Sequence, residues 1–283
     1  MIIDSHVHIF PETLILNRKN LLDKDLTFRT LFSNNNAKMV TAEDLIFNMD
    51  KESIDISVIL SMGWQDSGIV REVNDYIIDS VKRYPDRLIG FAGVNPLHGN
   101  AAANEIDRCH KLGLSGIGEL HPDTQGFNLS DKNVMDNIME VVQENNMIVN
   151  THSSEPVGHL YDGKGHTRPE VLLNFINNYL DTTIICSHWG GGLPFYSLMP
   201  EVDCSLKNVY FDTSATTLLY DRKIFDISVS LVGSNKILFG SDFPLVNPKF
   251  IKKHLDQSNN SEVDKINIFY ENAKKIFRLE SFI

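Results

Sequence analysis

The sequence predicts an α/β protein of the (β/α)8 TIM-barrel class, a parallel eight-stranded barrel with an insertion after its first strand. Three observations point there. Eight short β-branched runs recur along 283 residues, each followed by an amphipathic stretch, about 35 residues per unit; strands separated by helices run parallel, and eight of them can close on themselves. The first run leads into HVHIFPE, where an open doubly wound sheet would place a Gly-rich turn. Metal-competent side chains also fall at the C-terminal end of run after run, the end at which barrel enzymes build their sites.

The elements follow in order. IIDSHV (2–7) is the first strand, and the segment 10–40 reads as a long irregular insertion lying over the barrel mouth. Thr41-Ala-Glu-Asp44 has the capping-box pattern that starts a helix, here ahead of LIFNMDKES. ISVILS (56–61) precedes a helix over 67–83, LIGFAGV (88–94) one over 100–112, and SGIGEL (115–120) one over 130–145. MIVNTH (147–152) is followed by a helix over 168–180 and TTIICSH (182–188) by one over 193–202. NVYFD (208–212) and KILFGSD (236–242) complete the strands, with helices over 219–232 and 246–257 and a last one near 262–277. No solenoid repeat, low-complexity tract or linker divides the chain, so residues 1–283 form one domain.

Composition narrows the partners. With 42% hydrophobic and 22% charged residues the chain is an ordinary globular protein. A net charge of −11 argues against nucleic acid or an anionic membrane, both of which need a basic surface. It leaves room for a small anionic substrate, because a bound metal reverses the field inside a pocket. Cys109, Cys186 and Cys204 have no C-x-x-C spacing and suit a reducing compartment. No apolar stretch is long enough to span a bilayer and no targeting pattern opens the chain, so the expected address is the cytoplasm. Oligomeric state is not legible, a homo-oligomer being one option.

The polar residues at the strand ends carry the chemistry. His6 and His8 lie two apart on one strand and therefore share a face. Strand four brings Glu119 and then His121, strand five His152, strand six His188 and strand eight Asp242. Such groups in a barrel interior cost several kcal/mol unless they are paired or bind a metal, so their convergence on one rim predicts a divalent ion. Mixed imidazole and carboxylate ligands suit zinc first and manganese second, at one or two ions per chain. His121 reads either as a site residue or as a loop histidine. Arg168, before Pro169, offers a grip for a carboxylate, and Trp64, after strand two, a flat apolar wall; the plainer reading pairs Arg168 with Glu170 or Asp162 and packs Trp64 under the 10–40 insertion. His159 and His166 fall after strand five, near the mouth. Asp4 sits deeper and reads as a structural hydrogen-bonder. Gly158 to Gly165 imitates a P-loop but has Gly165 where Mg²⁺ needs Ser or Thr. Gly190 to Gly192 reads as a tight turn, and His98, His110 and His254 as solvated.

The ordered set D-x-H-x-H (Asp4, His6, His8), His152, S-H-W-G-G-G (187–192) with Pro194, and F-G-S-D-F-P (239–244) resembles the amidohydrolase superfamily. It is most similar to the amidohydrolase 2 branch, which also contains nonoxidative aromatic-acid decarboxylases, and ENAKKIFRL (271–279) resembles that branch's closing helix. The resemblance implies His6, His8, His152 and Asp242 as ligands of one divalent ion, with His188 acting beside it on water or substrate. A carboxylate at Glu119 resembles the dinuclear members, in which it ligates or bridges metals. The first functional expectation is a metal-dependent hydrolase of a small amide, lactone or ester, with Asp242 taking a proton from metal-activated water and His188 serving the oxyanion or leaving group. The alternative is a metal-dependent nonoxidative decarboxylase of a small aromatic or unsaturated acid. A non-catalytic metal-binding barrel is the third, weakened by Asp242 and His188, which a purely structural ion does not need.

Overall fold

The computed structural model describes residues 1–279. Its wall is a parallel sheet in sequential order: β1 (Ile3–Val7), β2 (Ile56–Ile59), β3 (Leu88–Ala92), β4 (Gly116–Leu120), β5 (Ile148–Thr151), β6 (Ile184–Cys186), β7 (Val209–Asp212) and β8 (Ile237–Leu238). A single bridge, Val7 to Phe243, brings the end of the chain back to β1. Backbone bonds reinforce that seam: Ser5 N–H donates to Phe239 O at 2.8 Å, Asp242 N–H to His6 O at 2.9 Å, and His8 N–H to Phe243 O at 2.8 Å. The barrel thus closes through the residues beyond β8 more than through β8 itself.

The strands are buried on both faces, which explains why they read as apolar runs without alternation. An inner cluster of Ile3, Val58, Phe91, Ile185 and Leu238 is joined by Ala273, Phe277 and Leu279 from the end of the chain, with the rings of Phe91 and Phe277 edge-on at 6.1 Å. The outer layer packs helices by their apolar stripes. Ser67–Arg83, for example, buries Ile69, Val70, Val73, Ile77 and Ile78, accepts its cap from Asp66, and ends on Lys82 and Arg83.

Four sequence expectations change. Segment 10–40 is not irregular: it forms α1 (Glu12–Leu16), α2 (Arg18–Lys24) and α3 (Leu26–Phe32). Buried Asp25 caps α3 through Phe28 N–H and accepts from Gln65 and Asp66 N–H with its other oxygen; the Arg18 guanidinium ties the carbonyls of Phe32, Asn34 and Ala37. The expected helix over 193–202 is split into a 3₁₀ turn, Leu193–Tyr196, and Pro200–Ser205, because Pro200 has no N–H to continue the ladder. The helix expected over 219–232 runs Ile224–Val232, preceded by a single turn at Thr216–Leu219. The eighth strand stops at Leu238, and the chain turns at Asp242, whose φ is +70°.

Candidate active site

His6 and Glu119 lie within β1 and β4, while His8, His121, His152, His188 and Asp242 follow the ends of their strands by one to four residues. All seven are at least nine-tenths buried. Gly118, with φ +121°, lets β4 pass close to β5 beside Glu119, since a Cβ there would lie 2.2 Å from Asn150 O. His188 is itself in the left-handed region, φ +55°, a conformation uncommon for a residue with a Cβ.

Proton accounting fixes two of the imidazoles. His8 Nδ1 lies 3.0 Å from Leu60 O; a carbonyl only accepts, so Nδ1 carries the proton and Nε2 presents a lone pair. His6 Nδ1 lies 2.9 Å from Asp212 Oδ2, with the same consequence. His6 Nε2 and His8 Nε2 then face each other at 3.1 Å, an arrangement that calls for positive charge between them. Glu119 Oε2 is 3.7 Å from each of these nitrogens, and Asp242 Oδ1 is 3.3 Å from His8 Nε2 and 3.7 Å from His6 Nε2. Ligand bonds of about 2.0–2.2 Å put donors about 3.3–3.6 Å apart around a tetrahedral ion. The donor set therefore fits a divalent ion, and backbone or carboxylate acceptors already orient two of its histidines from behind.

Glu119 faces a second set through its other oxygen. Its Oε1 lies 3.1 Å from His152 Nδ1 and 3.3 Å from His188 Nε2. His152 differs from its neighbours in turning Nδ1 inward. Burial pushes the Glu119 carboxyl up, but the surrounding imidazoles of His6, His152 and His188 outweigh it and hold it well below the usual range. Burial likewise opposes charge on His188, yet its bond to Glu119 and the Glu119 and Asp242 charges lift it to about 9. His121 stacks flat on His152, ring centroids 3.9 Å apart, and burial with the neighbouring His152 lowers it to about 3.

Above the donors opens a cleft of about 480 Å³, with His8, Glu119, His121, His152, His188 and Asp242 at its base. Its walls are largely apolar, among them Phe10, Phe32, Met62, Leu218, Leu219 and Leu245. His159 and Tyr161 reach it from the loop after β5, and Lys38 from the insertion. Two expected substrate contacts are corrected. Trp64 does not line the cleft: fully buried, it packs against Phe10, Phe28 and Phe32 beneath the insertion. Arg168 precedes the helix Pro169–Asn178 and does not reach the lining either; among the described residues it forms no ion pair with Glu170 or Asp162, so Lys38 is the cleft's one Lys or Arg. His166 is exposed and held by Asp123. Asp4, pushed up to about 7 by burial, accepts from the backbone N–H of Ser241 and His6, as a structural group would.

Asp212 is the residue that sequence reading missed. It ends β7, fully buried; burial pushes its carboxyl up, but the neighbouring imidazoles of His6 and His188 and its hydrogen bonds override this and hold it at about 2. The rule that selected the other strand ends applies equally to NVYFD (208–212) and would have found it.

Comparison with known proteins agrees with this fold. The Amidohydrolase family model matches residues 3–279. The chain is 24% identical over 254 residues to a gamma-resorcylate decarboxylase of Polaromonas sp., covering 74% of this chain and 76% of that protein. It is 23% identical over 275 residues to the 2-amino-3-carboxymuconate-6-semialdehyde decarboxylase of Dictyostelium discoideum, covering 83% and 76%. Among solved structures it superposes on 5-carboxyvanillate decarboxylase from Novosphingobium aromaticivorans, crystallised with manganese and 4-hydroxy-3-methoxy-5-nitrobenzoic acid, with a TM-score of 0.79, 19% identity and 98% and 96% of the two chains covered. No helix among the described residues is long and apolar enough to cross a membrane. With a barrel that matches in order, a rim of imidazoles and carboxylates, and a family model spanning nearly every residue, the chain belongs to the amidohydrolase family.

Proposed function

We propose that the protein is a metal-dependent, nonoxidative decarboxylase of a small planar acid, aromatic or unsaturated. One observation carries this reading: His8, Glu119 and Asp242, with His6 buried against them, lie at the base of a cleft lined by Phe10, Phe32, Met62 and Leu218. That pairing suits a flat apolar body with one anionic edge. The decarboxylases to which the chain is similar support the same choice over the hydrolase expected from sequence.

A divalent ion would be held by His6, His8, Glu119 and Asp242, with His152 on the other oxygen of Glu119, and would lend positive charge to the substrate carboxylate and an adjacent oxygen. The apolar walls orient the ring and keep water from it. His188 Nε2 is the proton-bearing atom nearest the floor, its Nδ1 being engaged by Ser214 at 2.7 Å. Nε2 gives its proton to the carbon that bears the carboxylate. The electrons of the breaking carbon–carbon bond return to the ring, carbon dioxide leaves, and Nε2 is reprotonated from solvent. Lys38 stands at the cleft for a second anionic group.

A hydrolase is the second reading, favoured by Glu119, which turns one oxygen to each donor set. There Asp242 would accept a proton from water and His188 protonate the leaving group. A panel of aromatic acids, lactones and cyclic amides, given to manganese- and zinc-loaded protein, separates the two. We expect carbon dioxide release from an acid. Ring opening without carbon dioxide would overturn the decarboxylase reading in favour of hydrolysis.

A further inference from the structure

The carboxylate of Asp212 serves two imidazoles that the chemistry above uses for different purposes. Its Oδ2 takes the Nδ1–H of His6 at 2.9 Å, with Asn150 Nδ2 at 3.4 Å. Its Oδ1 accepts three N–H or O–H groups: the backbone N–H of His188 at 3.1 Å, the backbone N–H of Ser214 at 3.1 Å, and the Ser214 hydroxyl. A serine hydroxyl has one proton, and a carboxylate can only accept, so that proton points at Asp212. Ser214 Oγ is left with lone pairs alone and must accept from His188 Nδ1–H, 2.7 Å away. All members of the chain are buried: Asp212, Ser214 and His6 are 0% exposed and His188 5%.

We propose that Asp212 and Ser214 are positioning residues forming one relay, which pins the Nδ1 proton of His6 and of His188 and so aims both Nε2 atoms at the donor cluster around Glu119. The relay has a second effect at His188. The left-handed backbone there costs energy for a residue with a Cβ, and its N–H is held in place by Asp212 Oδ1 and by Ser214 Oγ at 3.2 Å. The same oxygen that sets the ring's proton therefore also fixes where the ring begins. A hydrogen bond through an intermediary transmits orientation, not charge transfer, so neither residue needs to touch substrate. The roles of the two imidazoles rest on the decarboxylase reading; their protonation pattern does not.

The test uses the full chain with ¹⁵N-labelled histidine, metal-free and loaded with zinc, and follows the Nδ1–H resonances and their exchange with water. In the wild type, His6 and His188 should both give slowly exchanging Nδ1–H signals, assigned by their loss in His6→Gln and His188→Gln. Ser214→Ala should speed exchange at His188 alone, leaving its Nδ1–H only the Ser214 carbonyl at 3.4 Å, and Ser214→Thr, which restores the hydroxyl, should recover the slow exchange. Asp212→Asn should disturb both rings. Zinc affinity gives an independent readout: Asp212→Asn should weaken it about 10–100-fold, the scale for losing a partner behind a ligating histidine, whereas Ser214→Ala should change it less than about threefold. If Asp212→Asn fails to fold, the Ser214 pair decides alone. A His188 Nδ1–H that exchanges as slowly in Ser214→Ala as in the wild type, or no recovery in Ser214→Thr, overturns the relay. Because no substrate enters these measurements, a failed search for decarboxylation would not alter what they decide.

Discussion

Glu119 and Asp242 are both acidic residues against the same histidines, yet their positions ask different things of them. Glu119 has an oxygen on each of two donor groups, so its replacement should register in metal content. We expect Glu119→Gln to lose about half of the bound manganese or zinc, read by elemental analysis after exhaustive loading, with the far-ultraviolet circular dichroism unchanged; equal metal in both proteins would remove Glu119 from the ion's contacts. Asp242 keeps an oxygen donor when changed to Asn but loses its basicity and charge. If the reaction is hydrolysis, turnover should fall by about two to four orders of magnitude, the scale of a lost acid–base group, while metal affinity falls less. Near-normal turnover in that variant would contradict any acid–base part for Asp242. Lys38 offers a specificity test: Lys38→Ala should raise KM more for an anionic substrate than for its neutral ester, and equal effects would take it out of the site.

Between β1 and the helix Ala42–Glu52 the chain builds part of the cleft wall from the end of α3 and the turn after it. Arg18 holds that turn by four guanidinium bonds to three carbonyls. Arg18→Ala should therefore free residues 33–39, and limited proteolysis should cut there well before the barrel is attacked; unchanged cleavage kinetics would show that packing alone holds the turn. Trp64 underlies the same helix, and Trp64→Ala should cost about 3–5 kcal/mol in urea unfolding, as for other buried aromatics. These elements also mark what was legible in the sequence. The long helices were readable because their stripes repeat every three or four residues, as in Ser67–Arg83, and the strands because both faces are buried. The insertion was not, since Asp25 and Arg18 build it through bonds to backbone atoms forty and nineteen residues away, a pattern without a period. The site shows the same divide. His6, His8, Glu119, His152, His188 and Asp242 could be found because strand ends converge. The depth of Trp64 and the aim of Arg168 depend on packing that no spacing encodes.

At the scale of the whole molecule, the donors draw on strands from both ends of the chain. Binding an ion to the folded form alone stabilises it by an amount set by concentration over affinity, about 2.7 kcal/mol at a hundredfold excess over Kd. Exhaustive chelation should lower the melting temperature, and readdition of manganese or zinc should restore it; a melting temperature indifferent to both would exclude an ion from the folded barrel's donors. The seam gives this coupling a further consequence. His6 and His8 stand at its first edge and Asp242 at its last, joined by the bonds of Ser5 to Phe239, His6 to Asp242 and His8 to Phe243. During synthesis the two histidines leave the ribosome well ahead of Asp242, their carboxylate partner, which is made only after every other strand of the barrel. A nascent chain therefore has no finished cage in which to trap whichever cation it meets first. Any ion held by all three residues would enter only once the ring has shut, after translation rather than during it.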